Sequence, residues 1–561
     1  MEEGRRVAIL RRITDYISRH GARYTLRRGW EKISERYLGS YDRVWRVLAP
    51  TAEELAFQRA HQPEAGLISV AVPVYNPQPR FIRELCASLT AQTYENWEAC
   101  FWNAGESTTV RQALDEAAAA DPRIRVFHAE RNEGIAGNTN CAFAVSRGDW
   151  IALCDHDDLL TPDALWRVAE CAVREQPDLI YTDEDKITED GKHFTDPHMK
   201  PDFCPDNLLS SNYICHLLVL RRTLLERVGG EQTAFDGSQD HELALRCAAS
   251  AAGISHVRAI CYHWRTVGAS MSHRHLDQCL QASCRAAEEQ LRREGYADGH
   301  VEPYYGVARL RYPCPEGASL RVILTGPTDA PAPQLSWPGL LAWSRVENPL
   351  DLAAVNRAAE SAQETFLLLL SSDVNSFSEG FLEELASLAQ RENTGAVSPT
   401  LLDSRGRIAH MGFAVTENGE ALLRNLGLKP GAGGWHELAR QTHNVGAVSL
   451  ACCMICRDHW LPLPERAHAT AAAVAWCAAL AGKGLWHTVT PHATARCDAS
   501  ALIVPAGVQA GADSFHKEHP SWYDPCWHPM FRESRGDFRL RSTAELAQMR
   551  SEERKKWGMQ P

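Results

Sequence analysis

The chain has 561 residues, 44% of them hydrophobic and 23% charged, an ordinary globular balance that excludes extended disorder. A formal net charge of -12 excludes a nucleic-acid-coating role. No apolar run reaches the roughly 20 residues of a membrane-spanning helix.

Read in chain order, residues 1–66 form a basic helical region with Arg11-Arg12 and Arg27-Arg28 among apolar residues at helical spacing. Its first 50 residues suit peripheral contact with an anionic membrane surface, or equally a helical face docked on the main domain. The start, Met1-Glu2-Glu3-Gly4-Arg5-Arg6, has no secretory apolar core behind it. The 18 cysteines are scattered through apolar runs, as buried thiols of a reducing cytoplasm would be. Cys452-Cys453-Met454-Ile455-Cys456 contains a CxxC spacing, but no second pair accompanies it, so it reads as a buried strand. The expected location is cytoplasmic, peripheral on the inner membrane face.

From Leu67 short apolar strands alternate with amphipathic helices. Strands are expected at 67–73, 97–102, 124–127 and 150–154, with helices at 81–92, 110–120 and 137–146 between them. This succession implies a parallel, doubly wound α/β sheet. Residues 303–318, rich in Tyr, Pro and Gly, read as a linker; the alternation then restarts at 320–324, 352–361 and 366–373. The second half thus reads as a diverged copy of the first, and residues 542–561 as a charged helical tail.

The fourth strand ends in Asp155-His156-Asp157-Asp158. Ligands of open α/β sheets bind beyond such carboxyl ends, and carboxylates one residue apart reach a single hard cation. A helix cap explains Thr161-Pro162-Asp163 and Asp158, but leaves Asp155 and Asp157 without a purpose.

In fixed order the first half also carries Pro73-Val74-Tyr75-Asn76, Arg131-Asn132-Glu133-Gly134, Tyr181-Thr182-Asp183-Glu184-Asp185-Lys186, Asn212-Tyr213-Ile214-Cys215-His216, Gly237-Ser238-Gln239-Asp240-His241-Glu242 and Tyr262-His263-Trp264-Arg265. Together with the acidic cluster these motifs resemble family 2 glycosyltransferases of the GT-A fold, in the tandem two-domain form of bacterial surface-polysaccharide clusters. The resemblance implies an N-terminal helical region at 1–66, a GT-A domain at 67–302, a linker at 303–318, a diverged GT-A-like domain at 319–541 and a tail at 542–561.

It further implies an inverting, metal-dependent transfer of a sugar from a nucleotide-diphosphate donor to a saccharide or polyprenyl-linked acceptor. Asp155, Asp157 and His263 would hold a divalent cation, Mn²⁺ or Mg²⁺. Pro73, Tyr75, Asn76, Asn103, Asn132, Gly134, Asp155, His156 and Arg265 would bind the donor, with Arg265 forking a phosphate. Asp240 would be the general base. Asp183, Glu184, Asp185, Gln239 and Glu242 would meet the sugar or acceptor. One departure is Asn103-Ala104 where the family has a pair containing Asp, which leaves nucleotide-base binding to an amide.

In the second half, Leu370-Ser371-Ser372-Asp373 keeps one acid at the strand end. Ala472-Ala473-Val474-Ala475-Trp476 replaces the acceptor-side acids, and Thr325-Gly326-Pro327-Thr328 replaces the first turn. That domain is expected to be catalytically silent. Competing readings are a non-catalytic sugar-binding scaffold and a nucleotidyltransferase, which shares the sheet and a metal site.

Overall fold

A computed structural model describes residues 40–267, 276–417, 419–464, 468–497, 522–534 and 536–559. They form two compact units: one takes in the residues up to Phe203, Ser211–Gln290 and those from Arg541, the other Cys204–Ser210 and Leu291–Leu540.

The first unit is built on strands β1 (Ile68–Val74), β2 (Trp97–Asn103), β3 (Ile124–His128), β4 (Trp150–Leu153), β5 (Leu159–Leu160), β6 (Leu179–Thr188), β7 (Phe194–His198), β8 (Leu218–Arg221) and β9 (Ile254–Thr266). They join in the order β3-β2-β1-β4-β8-β6-β9-β5, with β7 alongside β6. The first four run parallel, as the βαβ alternation requires. Beyond β4 the sheet is mixed, because β8 enters antiparallel between β4 and β6.

Helices Pro79–Thr90, Thr108–Ala120 and Gly134–Val145 connect the parallel strands. Their apolar faces bury Ile82, Leu85, Leu89, Val110 and Leu114 against Val70, Val72, Trp97 and Phe101 of the sheet. Each such fully buried aliphatic or aromatic side chain contributes about 1.5–3 kcal/mol, so this layer holds the strand ends that matter here rigidly. At the carboxyl edge Val74 lies opposite Asn103, and Ala71 opposite Leu153. The ends of β1, β2 and β4 therefore open on one side of the sheet.

The N-terminal helix Ser40–Leu48 rests on this unit: Tyr41 is buried, and Trp45 packs edge-on against His263 and against Phe194. Most of the basic stretch considered for membrane contact, residues 1–39, lies outside the described residues. No helix among the described residues is long and apolar enough to cross a membrane. The tail forms the helix Thr543–Lys556, started by a reciprocal Ser542–Glu545 capping box.

The second unit opens with an antiparallel hairpin, β10 (His300–Tyr304) and β11 (Val307–Arg311), so the stretch read as a linker contains regular structure. Next come β12 (Leu320–Thr325), β13 (Leu341–Val346), β14 (Phe366–Ser371), β15 (Val374–Asn375), β16 (Thr394–Leu402), β17 (Ile408–His410), β18 (Phe413–Val415), β19 (Ala421–Leu423), β20 (His443–Val445), β21 (Cys452–Cys456) and β22 (Trp486–Cys497). The main sheet runs β13-β12-β14-β21-β16-β22-β15, with β17 on β16. Strand for strand this is β2-β1-β4-β8-β6-β9-β5 with β7 on β6, in the same parallel and antiparallel senses. Among the described residues the edge has no counterpart of β3, and β20 is added antiparallel to β22. The apolar Cys452–Cys456 segment is β21, interior to this sheet and buried from Cys452 to Ile455.

Candidate functional site

The acidic turn follows β4 directly. Carboxylate oxygens of Asp155, Asp157 and Asp158 lie within 4.8 Å of one another. Two-residue β5 pairs Leu159 with His263 and Leu160 with Tyr262, which ties the turn to β9. Tyr262 donates its hydroxyl to Asp158 Oδ2 at 2.6 Å and accepts from the Asp155 amide at 3.1 Å. The Arg265 amide donates to Asp158 Oδ1 at 2.6 Å.

Both oxygens of Asp158 are thus engaged within the protein, and burial with the neighbouring Asp157 and Asp155 charges drives its acidity well down, its pKa up. Asp155 and Asp157 are the two acids left to face a ligand. Burial, with the Asp155 charge adding to it, also raises Asp157. An all-oxygen pair at this spacing fits a hard divalent cation, which would relieve that repulsion. His156 lies with Nδ1 3.0 Å from the Pro73 carbonyl, joining the turn to β1.

Asp240 comes from the first turn of the helix Gln239–Ser250. Ser238 is the cap residue, so Asp240 is free of that duty, and Asn212 donates to its Oδ2 at 2.9 Å. Between the two acids stands His216: its Nε2 is 3.7 Å from Asp155 Oδ2, and its ring stacks on Tyr262. Cys215, His216 and Asp240 form a second group of ligand-type atoms within 4.8 Å of one another. Glu231 adds a buried carboxyl whose backbone is fixed by two 2.8 Å bonds with the Asn140 amide. Burial and the Asp240 charge raise its pKa well above the ordinary range.

The residues expected to bind the donor lie at or after the strand ends. Tyr75 is 55% exposed, an open ring at the end of β1. Asn76 takes a positive φ and accepts from the Ser107 amide at 3.1 Å. Gly105 passes so close that a Cβ there would meet Asn76 Oδ1 at 2.5 Å, which is why that turn needs glycine. Asn103 is buried, its carbonyl accepting from the Gly105 amide at 3.1 Å and its amide donating to His128 at 3.2 Å. Asn132 accepts from the Gly134 amide at 3.0 Å and from Asn138 at 2.7 Å, shaping the turn where Gly134 takes φ +81°.

Other expected contacts are placed elsewhere. His263 lies buried with Nδ1 2.5 Å from Asp185 Oδ1 and is not among the acids that converge after β4. Arg265 is buried as well: it donates to the Asp157 carbonyl at 2.6 Å, the Glu189 carbonyl at 3.2 Å and Glu84 at 2.6 Å. Three of its N–H groups are thus spent on the protein, and its guanidinium braces the acidic turn.

Asp183, Glu184 and Asp185 lie within buried β6, neither in an acidic turn nor open to a sugar. Asp183 accepts from the Lys200 amide and lies 3.0 Å from His256. Glu184 accepts from the His216 amide at 2.6 Å and pairs with Lys200 at 3.3 Å. Despite its burial, Lys200 and His198 hold its pKa down to about 2. Asp185 accepts from Tyr41 at 2.8 Å. Glu242 is buried in a two-bond pair with Arg246 at 2.7 and 2.6 Å, and Gln239 accepts from the Gly237 amide at 2.9 Å. Period-2 and motif reasoning cannot separate these inward acids from ligand-facing ones. His216 and Tyr262 lie in the motifs Asn212–His216 and Tyr262–Arg265 with no local pattern that marks their role, and Glu231 lies outside those motifs.

Residues 69–229 match the Glycosyl transferase family 2 model. Over 441 residues the chain is 34% identical to the uncharacterized protein y4gI of Sinorhizobium fredii, covering 70% of this chain and 48% of that one. Over 416 residues it is 33% identical to the O-antigen biosynthesis protein RfbC of Myxococcus xanthus, covering 66% of this chain and 32% of that one. The chain therefore spans about half or less of the length of these relatives. The mannosyltransferase PcManGT from Pyrobaculum calidifontis in complex with GDP-Man and Mn²⁺ superposes with a TM-score of 0.33 at 18% identity, over 46% of this chain and 71% of that chain. The acidic turn lies inside the matched residues, and the chain carries a family 2 glycosyltransferase domain.

Proposed function

We propose that the first unit is an inverting glycosyltransferase that moves a sugar from a nucleotide-diphosphate donor to a saccharide or lipid-linked acceptor in surface-polysaccharide synthesis. The observation that carries this reading is His216, which stands 3.7 Å from Asp155 and in one group with Asp240, so that acids 85 residues apart share a single site.

Asp155 and Asp157 would hold Mn²⁺ or Mg²⁺, which supplies charge neutralisation for the departing diphosphate. Tyr262 and Arg265 fix the turn so that both carboxylates keep their direction without reorganisation. Tyr75 and Asn76 at the end of β1 bind the nucleotide side. Asp240, oriented by Asn212, takes the proton of the acceptor hydroxyl as that oxygen attacks the anomeric carbon from the side opposite the diphosphate.

The second unit repeats the sheet but not this pairing. Asp373 follows β14, with Ser371 donating to it at 3.3 Å. The helix Ala469–Ala481, at the place of Gln239–Ser250, buries Ala472, Ala473, Val474 and Ala475 and has no acid in its first turn. It serves as a platform, not a second centre.

The test is release of nucleoside diphosphate from a panel of UDP-, GDP- and dTDP-sugars with Mn²⁺, with and without short saccharide acceptors. Release that requires Mn²⁺ and vanishes in Asp157→Ala is expected. Binding of none of the panel would contradict the reading.

A further inference from the structure

We propose that Cys215, His216 and Asp240 form a second metal site, selective for a thiophilic divalent cation of the zinc class, through which that ion inhibits the enzyme. Cys215 Sγ lies 3.0 Å from the His216 ring nitrogens, and one ligand atom from each of the three residues falls within 4.8 Å of the others. All three are partly exposed, so an ion can enter from solvent. Asn212 donates to Asp240 Oδ2 and thereby orients the carboxyl that completes the set.

The donor chemistry separates this site from the neighbouring acidic turn. Sulfur, imidazole nitrogen and carboxylate oxygen are the ligands zinc accepts, at about 2.0–2.3 Å and in a small tetrahedral shell. Mg²⁺ and Mn²⁺ prefer oxygen alone, which Asp155 and Asp157 offer. The fourth zinc position is open to water or to Asp155, 3.7 Å from His216 Nε2. As the sulfur–zinc bond forms, the Cys215 thiol gives its proton to water, so uptake of the ion releases one proton. The inhibitory consequence rests on the reading of Asp240 as the base, because the bound ion occupies the carboxylate that would accept the acceptor's proton. The metal site itself does not depend on that reading.

Cobalt(II) is the probe, since a cobalt–thiolate bond gives a near-ultraviolet charge-transfer band whether or not the protein turns over any substrate. Titration of the full chain should produce this band at one equivalent, zinc should displace it, and Cys215→Ala should abolish it. Asp155→Asn should retain it. In a turnover assay with Mn²⁺, Cys215→Ala should keep activity and be more than about tenfold less sensitive to zinc. If Cys215→Ala fails to fold, Cys215→Ser carries the comparison. No band, or a band of equal strength in the Cys215 variants, would overturn the site. A band without zinc inhibition of a working enzyme would overturn the inhibitory role.

Discussion

Tyr262 and Asp158 are joined by a 2.6 Å hydrogen bond, and the same phenol accepts from the Asp155 amide at 3.1 Å. One hydroxyl on β9 thus holds the turn that presents Asp155 and Asp157. Tyr262→Phe would strand a buried acceptor and a backbone N–H, at a cost of about 1–3 kcal/mol. Thermal unfolding should move down accordingly, and Mn²⁺ affinity, read by electron paramagnetic resonance, should weaken as the turn loosens. Unchanged melting and Mn²⁺ affinity would remove this residue from the account.

His263 belongs to a different assembly. Its contacts with Asp185 and Trp45 make it a buried anchor for the Ser40–Leu48 helix. His263→Ala should lower the urea midpoint, with a loss of about 1–3 kcal/mol because Asp185 Oδ1 loses its partner while Oδ2 keeps Tyr41, and leave Mn²⁺ affinity within about twofold of the native chain. A selective loss of Mn²⁺ binding with native stability would return it to the metal shell.

Acid should weaken the second unit through its buried histidines. Burial holds His487 down to about 4 and His410 and His443 to about 3. His487 shows why: Nδ1 accepts from the Ala396 amide at 3.2 Å while Nε2 lies 2.8 Å from the Cys477 carbonyl, so the ring is neutral with one donor. Their folded values lie below the unfolded value of about 6.5, so the unfolded chain binds more protons between these limits. Stability is complete above about pH 6.5 and falls as pH drops, by up to about 3 kcal/mol for His487 near pH 4. Asp524, raised by burial to about 6, acts in the opposite sense between about pH 4 and 6. Urea unfolding at pH 7 and pH 5 should show the net loss, and His487→Gln should reduce it; an identical pH slope in the variant would refute the assignment.

The second unit should be dispensable for chemistry at its own strand end. Asp373→Ala should leave turnover within about twofold, because no acid on the Ala469–Ala481 helix answers it. Loss of turnover in a folded Asp373→Ala protein, checked by circular dichroism, would reopen the second centre.

The parallel half of the first sheet was legible because its apolar runs and helix faces have clear periods: the strand expected at 67–73 is Ile68–Val74, and that at 97–102 is Trp97–Asn103. The acidic turn was legible because carboxylates at a strand end have no structural excuse. What the residues did not reveal was direction. Asp183 to Asp185 read as ligand contacts, whereas β6 is hydrogen-bonded to β7 and β9 and all three acids are buried, against Lys200, His198, His256 and His263. Arg265 likewise looked like a phosphate fork, and only the fold brings Glu84, Glu189 and the Asp157 carbonyl to it. Long-range pairing decides such roles, and it leaves no local pattern.

The central claim is that Asp240 works opposite the Asp155–Asp157 pair as the base for the acceptor. The most direct measurement is acceptor-dependent transfer by Asp240→Asn, alongside its Mn²⁺-dependent binding of the same nucleotide sugar. Binding within a few-fold of native and transfer reduced by about 10²–10⁴ are expected. Transfer at the native rate by a folded, donor-binding Asp240→Asn protein would contradict it.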